Sequence, residues 1–218
     1  MADERATGVI LRTRPLTETS LIVSWLAPGL GRLATVAKGA RRPKSPFRGK
    51  LDLFHTCDFS FARSRRSDLH TLREVELLNA PVRLRENYPL LQQACYAAAL
   101  IEQTTEVETP LDEIVDLFLG FLAHVGGERP ARSRTVLAFE LRLLEELGLA
   151  PDFSTPRLSV LAPLAGALIH TPWPELDGLE ASPDDARALR QFLHGFLIFQ
   201  FNRLAEGRSA AVGGRETD

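Results

Sequence analysis

The sequence predicts an α+β protein, in which a small closed barrel of five β-strands is followed by an all-α helical domain. Up to about residue 80, short β-branched segments alternate with turns that contain glycine or proline. After Pro81 the apolar residues follow a helical period instead, in runs rich in alanine and leucine. The 218 residues are 44% hydrophobic and 25% charged, which allows a buried core and argues against wholesale disorder.

Five strands are predicted before Pro81, at residues 8–14, 20–26, 31–40, 51–63 and 70–80. In 31–40 the alternation places Leu33, Thr35 and Ala37 on one face. In 51–63, period two places six residues on one face, and Phe59 and Phe61 are expected in the core; the six are Leu51, Leu53, His55, Cys57, Phe59 and Phe61. Five strands in about 80 residues fit the OB-fold.

Four helices are predicted after Pro81, at residues 88–105, 109–127, 133–151 and 182–207. The second is expected to start with Thr109 as N-cap and Pro110 at the first helical position, and the fourth repeats this with Ser182 and Pro183. The proline-rich segment 151–181 is predicted to be loop with short turns, and 209–218 to be a disordered tail. The predicted domains are thus a barrel over 1–80 and a helical domain over 81–208.

Charge is distributed unevenly along the chain. Residues up to Arg85 include 16 basic and 8 acidic residues, whereas the rest includes 10 basic and 20 acidic residues. All three lysines of the chain lie in residues 38–50, KGARRPKSPFRGK, which contain no acid. Two halves of opposite charge predict two surfaces for two kinds of partner.

Residues 38–50, here called the basic loop, are the main candidate site. Pro43, Pro46 and Gly49 prevent a continuous strand or helix there. A charge run alone is typical of a solvated, mobile loop. In a basic barrel it instead favours a surface that follows a phosphate backbone. The predicted nucleic-acid-binding residues are Arg12, Arg14, Arg32, Lys38, Arg41, Arg42, Lys44, Arg48, Lys50, Arg65 and Arg66, with Phe47 as the candidate for base stacking.

The chain shows no catalytic or cofactor motif. Phosphate-binding glycine loops, HExxH and GxSxG are absent, and the five histidines stand apart from possible ligand partners. Cys57 and Cys95 are too few for a disulfide framework or a four-cysteine zinc site, and are expected to be small buried residues. No catalytic residue, cofactor or metal is therefore predicted. The apolar runs are too short for a membrane span and the N-terminus lacks a secretory signal, so a cytoplasmic location is expected.

Residues 8–45, GVILRTRPLTETSLIVSWLAPGLGRLATVAKGARRPKS, closely resemble the start of the bacterial recombination mediator RecO, and AKGARRPKS carries most of the resemblance. The resemblance continues through LDLFHTCDF and LREVELLNA, and more weakly through FELRLLEELGLAPDF in the helical region, to about residue 153. The resemblance implies an OB-fold and a helical domain, and a non-enzymatic role in DNA repair and recombination at the nucleoid.

The family's activities and partners follow from the resemblance alone. It implies binding to single- and double-stranded DNA, annealing of complementary strands, and cooperation with RecR in loading RecA onto strands coated by single-strand binding protein. The family's DNA contacts carry over to Arg12, Arg14, Lys38, Arg41, Arg42, Lys44 and Arg48. The site for the tail of single-strand binding protein is expected in a helical groove near Arg132, Arg134 and Arg142, although no motif places it.

The chain departs from the family after LGLAPDF. Many members carry a zinc site of CxxC pairs there, whereas residues 151–173 contain no cysteine and one histidine, His170. Leu158, Leu161, Leu164 and Trp173 are expected to hold this segment instead. From pattern alone, two other functions remain open: an RNA- or single-strand-binding OB protein without mediator activity, and an interaction module whose basic loop binds an acidic protein.

Overall fold

A computed structural model of the protein describes residues 3–213. Its N-terminal part contains five strands, which are β1 (Glu4–Pro15), β2 (Leu21–Ala27), β3 (Gly31–Ala37), β4 (Thr56–Ala62) and β5 (Leu69–Asn79). They pair in the order β1-β2-β3-β5-β4, and β4 closes onto β1. The closed barrel confirms the OB-fold prediction.

Strand register decides which loops share an end of the barrel. Pro15 pairs with Leu21, and Leu21 pairs in turn with Ala37. The end of β1, the start of β2 and the end of β3 therefore lie together, at what we call the loop end, because the basic loop leaves β3 there. β5 runs parallel to β3 with Leu69 opposite Ala34, which places the β4–β5 turn at the other end.

The barrel interior is built around Trp25, which is fully buried. Its ring stacks on Phe59 at a centroid distance of 4.1 Å, and its indole Nε1 donates to Thr35 Oγ1 at 2.8 Å. The bond gives Thr35, the one polar residue on the face predicted for β3, a hydrogen-bond partner. The other two residues of that face, Leu33 and Ala37, are also buried. Burial of Phe59 and Phe61 confirms both as core residues.

β4 is shorter than predicted, because it begins at Thr56 and not at residue 51. Phe54 adopts a φ of 63°, which is outside the extended region and interrupts the strand. Leu51 and Leu53 are only half-buried. They therefore match the period-two spacing of β4 in the sequence, although they lie before the strand, in a turn that packs on the barrel.

The second part of the chain contains α1 (Val82–Glu86), α2 (Tyr88–Thr104), α3 (Asp112–Val125), α4 (Ser133–Glu146), α5 (Ala162–His170), α6 (Pro183–Phe201) and α7 (Arg208–Val212). Ser182 caps α6 as predicted, since its hydroxyl accepts from the backbone N–H of Asp185 at 3.0 Å. Gly148 follows α4 with a φ of 68°, the left-handed conformation expected of a helix-ending glycine. No helix among the described residues is both long and apolar enough to cross a membrane.

α3 begins later than predicted, at Asp112 and not next to Thr109. The backbone N–H of Glu108 donates to Arg32 O at 2.7 Å, so the chain before α3 runs along β3. A Cβ built at Gly31 would lie 1.9 Å from Thr109 O, which shows how closely the two backbones approach. This tertiary contact holds Thr109 outside the helix.

Segment 151–181 contains more helix than predicted, because α5 lies within it between two short 3-10 helices, Ser159–Leu161 and Trp173–Gly178. Arg142 on α4 fixes the segment. Its guanidinium donates to Leu168 O at 2.9 Å and to Thr171 O, and it lies 4.1 Å from the centroid of the Trp173 ring. Leu161 is buried, while Leu158, Leu164 and Trp173 are half-buried.

α7 corrects the predicted disordered tail for residues 209–212; residues 214–218 lie outside the described residues. Arg208, at the start of α7, is buried and pairs with the fully buried Glu140 of α4 at 2.7 Å. Tyr96 donates its hydroxyl to the same carboxylate at 2.5 Å. Burial and the neighbouring Glu140 raise the pKa of Tyr96 well above its ordinary value, so Tyr96 remains a donor.

The chain divides into two compact units. One contains the residues up to Val82 together with Thr105–Val115, and the other contains Arg83–Thr104 and the residues from Asp116 onward. Thus the barrel unit includes the segment before α3, which the predicted boundary at residue 80 assigns to the helical domain. Cys95 also departs from expectation, because it is exposed on α2, whereas Cys57 is buried in the barrel.

Candidate nucleic-acid interface

The basic loop is folded into a series of tight turns. Backbone N–H groups of Arg42, Ser45, Arg48 and Lys50 each donate to the carbonyl three residues earlier, at 3.0–3.2 Å. The N–H of Arg41 donates to Thr19 O at 2.9 Å, which ties the loop to the β1–β2 turn. These bonds give the loop a defined backbone shape.

Phe47 anchors the loop to the barrel. Its side chain is 7% exposed and belongs to the same core cluster as Trp25 and Phe59. The ring therefore has little exposed surface for base stacking, and a contact between Phe47 and a base stays a prediction. The ring lies inward because burial of its apolar surface is favourable, whereas the other long side chains of the loop are charged and remain in solvent.

Five cations project from the loop, and all are exposed: Lys38, Arg41, Arg42, Lys44 and Arg48. Within residues 3–213 none of them forms an ion pair. Clustered charges on a fixed backbone repel one another unless an anion lies between them. The loop thus presents a preorganised binding surface for phosphate groups.

Arg12 and Arg14 lie on the last part of β1, and both are exposed. Arg14 pairs with Ile22 and Pro15 with Leu21, so this part of β1 runs toward the loop end of the barrel. The register therefore brings the two strand arginines to the same end as the basic loop. They extend the cationic surface from the loop onto the barrel wall.

Four predicted DNA-binding residues are placed differently. Arg32 donates to Thr105 Oγ1 at 2.7 Å, and the Lys50 ammonium donates to Val75 O at 2.8 Å, so both have structural partners. Arg65 and Arg66 are exposed, but they lie in the β4–β5 turn at the far end from the basic loop. Arg32, Arg65 and Arg66 therefore lie apart from the basic loop, and Lys50, within the loop, has its ammonium on the barrel.

An ion-pair network surrounds Arg63 at the far end of the barrel. Arg63 contacts Glu4 at 2.8 Å and Glu108 at 2.5 Å, and buried His70 contacts the same Glu108 oxygen. Hydrogen bonds from Arg63 lower the pKa of Glu4. The charge of Arg63 is therefore balanced within this network, whereas the five exposed cations of the basic loop form no ion pair within residues 3–213.

A cavity of about 800 Å³ on the wall formed by β1, β4 and β5 is unsuited to nucleic acid. It contains Arg5 and Lys50, but also the three carboxylates of Asp58, Glu74 and Glu76. A surplus of acids repels a polyanion. Electrostatics thus favours the loop end of the barrel over this wall.

The arginines expected near a partner groove are mostly structural. Arg134 donates to Leu179 O, and Arg142 holds Leu168, Thr171 and Trp173 as described above. Arg132 is exposed, with its Nε 3.9 Å from Asp177 Oδ1. Two of the three therefore stabilise segment 151–181.

Sequence reasoning missed an apolar cleft under the basic loop. It has a volume of about 380 Å³, and Leu21, Ala40, Phe47 and Leu51 contribute apolar surface to it. Leu21 and Leu51 come from outside the basic residues and reach the cleft only through the fold. The one signal in the sequence was Phe47, a single aromatic residue among the cations of the basic loop.

Comparison with known proteins identifies the family. The family model described as "Recombination protein O N terminal" matches residues 1–81, and the one described as "Recombination protein O C terminal" matches residues 85–155. The chain belongs to the RecO family. The two matched ranges contain the five barrel strands and helices α2 to α4 of this chain.

Two curated relatives illustrate the similarity. A protein of Rhodopirellula baltica named "DNA repair protein RecO" is 34% identical over 153 residues, which cover 70% of this chain and 56% of the relative. One of Exiguobacterium sibiricum with the same name is 32% identical over 172 residues, covering 77% of this chain and 67% of the relative. The match to the first relative thus spans little more than half of that RecO protein.

Proposed function

We propose that this chain is a DNA repair and recombination protein that binds single- and double-stranded DNA through the loop end of its barrel. Five exposed cations without ion pairs, on a loop of defined shape, carry the proposal. Arg12 and Arg14 extend that surface at the same end of the barrel. The name "DNA repair protein RecO" of the relatives points to the same process.

The chemistry of the surface supports binding without sequence preference. Lysine and arginine contacts to phosphates release counterions and provide affinity for any sequence. They position the backbone and carry no base information. Such a surface can hold two strands of any complementary sequence, which is what strand annealing requires. The proposed role is therefore a non-enzymatic one at the nucleoid.

In the finer proposal, the protein acts with RecR to help load RecA onto strands coated by single-strand binding protein. Family membership supports this role. The helical half of the chain, with 20 acidic against 10 basic residues from Glu86 onward, is suited to protein partners and unsuited to DNA.

Charge reversal of the loop tests DNA binding. Fluorescence anisotropy of a labelled single strand is measured with the wild type and with Lys44→Glu/Arg48→Glu. Binding is expected to fall at least about tenfold, since two phosphate contacts become repulsive. Arg157→Glu/Arg203→Glu is the matched control, because it makes the same change in net charge at exposed positions of the helical unit. Equal losses in both double variants would remove the loop from the mechanism.

Annealing separates a mediator from a simple binder. Complementary strands coated with single-strand binding protein are mixed with the chain, and duplex formation is followed by energy transfer between end labels. The proposal predicts faster annealing by the wild type than by Lys44→Glu/Arg48→Glu. Binding to bare strands without acceleration of annealing would favour the single-strand-binding OB protein.

A further inference from the structure

We infer that the cleft under the basic loop binds one unpaired nucleobase, so that the loop holds a single strand by a base as well as by its phosphates. This inference rests on the proposed function and names the form of DNA that the site prefers. The cleft has a volume of about 380 Å³, within the range of about 300–1,000 Å³ for small-ligand sites.

The cleft combines an apolar floor with a cationic rim. Leu21, Ala40 and Leu51 are partly buried and pack on the barrel core, and buried Phe47 completes the floor. The rim carries the three exposed guanidinium groups of Arg41, Arg42 and Arg48. A phosphate backbone alone would gain nothing from an apolar floor, whereas a nucleotide has an apolar base face and an anionic phosphate.

Arginine suits both parts of such a ligand. Its planar guanidinium can form paired hydrogen bonds with a phosphate or lie flat on a base. Three arginines around one cleft can therefore enclose a base while they bind the phosphates on either side. Charge complementarity and the apolar floor together identify the occupant as an unpaired nucleotide of a single strand.

The cleft is formed before the ligand arrives. The bond from Arg41 N–H to Thr19 O and the burial of Phe47 fix two sides of it, and Gly49 makes a turn on its rim with a φ of 75°. Binding would thus not require the loop to become ordered, which lowers the entropic cost of association. A base in a duplex is stacked and paired and cannot enter, so the cleft favours single strands.

Abasic DNA tests the inference on the wild-type protein. Two oligonucleotides with the same number of phosphates are compared, one with bases and one in which every base is replaced by an abasic analogue. The abasic strand is expected to bind at least about fivefold more weakly, the low end of the effect of removing one base contact. Affinities within about twofold of each other would overturn the cleft but leave phosphate binding intact.

Filling the cleft provides the second test. Ala40→Leu adds apolar volume to the floor and leaves every charge in place. It is expected to reduce affinity for the normal strand to that for the abasic strand, with little effect on a duplex. Ala188→Leu, at an exposed site on α6, is the control for the substitution itself. Absence of wild-type binding to all three ligands would overturn the proposed function and the cleft with it.

Discussion

Arg208 and Glu140 form an ion pair with 3% and 0% side-chain exposure, so each buried charge is balanced by the other. The pair joins α7 to α4, and Tyr96 from α2 donates to the same carboxylate. Gln93 adds a bond from its Nε2 to Ala211 O at 3.2 Å. Polar groups with defined partners therefore specify where the last helix docks.

Arg208→Met is expected to lower the free energy of unfolding by about 3–5 kcal/mol, because it leaves a buried carboxylate without its cation. Adding Glu140→Gln should restore part of this loss, since the amide is neutral and can still accept from Tyr96. Urea denaturation followed by circular dichroism measures both variants.

The control for this prediction is Arg187→Met. Arg187 pairs with Asp184 at 2.7 Å, but the two side chains are 65% and 88% exposed. Surface pairs contribute about 0–1 kcal/mol. If Arg208→Met costs no more than Arg187→Met, the buried pair does not stabilise the helical unit.

His124 predicts a pH dependence of stability. It is buried beside Trp173, and its Nδ1 has no hydrogen-bond partner in the part of the chain that the structure describes. Burial lowers the pKa of His124; Asp177 opposes this effect, while Arg129 and Arg142 add to it. Because the unfolded chain then binds the proton more readily, this histidine lowers the free energy of unfolding as pH falls through about 6.5 and has no such effect above it.

His124→Gln should therefore lose less stability than the wild type between pH 7.5 and pH 5.5. Urea denaturation at both pH values measures the difference, in which groups common to the two proteins cancel. His170→Gln, at an exposed histidine, should behave like the wild type. Parallel pH profiles for the wild type and His124→Gln would contradict the assigned effect of burial.

At the scale of elements, the segment before α3 depends on one glycine. Gly31 has a φ of 67°, and a Cβ there would lie 1.9 Å from Thr109 O. Gly29 has nearly the same φ, 68°, but a Cβ there would meet nothing within 4 Å. Comparing substitutions at Gly29 and Gly31 therefore separates the effect of backbone conformation from the effect of close packing.

Gly29→Ala is expected to cost about 1–2 kcal/mol, the penalty of the left-handed conformation. Gly31→Ala should cost clearly more, because the backbone of Thr109 must also move. Denaturation of the two variants in parallel provides the comparison. Equal losses would mean that the segment before α3 does not pack against Gly31 in solution.

The same elements show what sequence reasoning could and could not reach. Alternation in β3 and the N-cap Ser182 are local signals, and each marked its element correctly. Thr109 had an equally good N-cap signal, but the contact with Gly31 overrides it. Helix α5 was not predicted, because Pro163 and Gly166 in this short apolar segment indicate a loop.

In the candidate site, too, local features were predictable from the sequence and tertiary contacts were not. The sequence identified the cations of the basic loop, since their density and the interrupting prolines are local properties. It did not separate Arg32 and Lys50 from them, because only the fold supplies Thr105 Oγ1 and Val75 O as partners. It also did not predict that register places Arg65 and Arg66 at the far end of the barrel.

At the scale of the whole molecule, the two parts of the chain differ in electrostatic character. Residues up to Arg85 have eight more basic than acidic residues, and the remainder has ten more acidic than basic residues. Such asymmetry directs a polyanion to one part of the chain and away from the other. The central proposal is therefore that the cations of the basic loop hold the DNA backbone.

The salt dependence of DNA binding tests that claim most directly. For single strands, the slope of log K against log salt concentration is about −0.7 per neutralised phosphate. The wild type is compared with Lys44→Gln/Arg48→Gln, which removes two of the five exposed loop charges. If the two loop cations each neutralise a phosphate, the slope should be shallower by about 1.4 in the double variant. An unchanged slope, with Arg157→Gln/Arg203→Gln behaving identically, would contradict it.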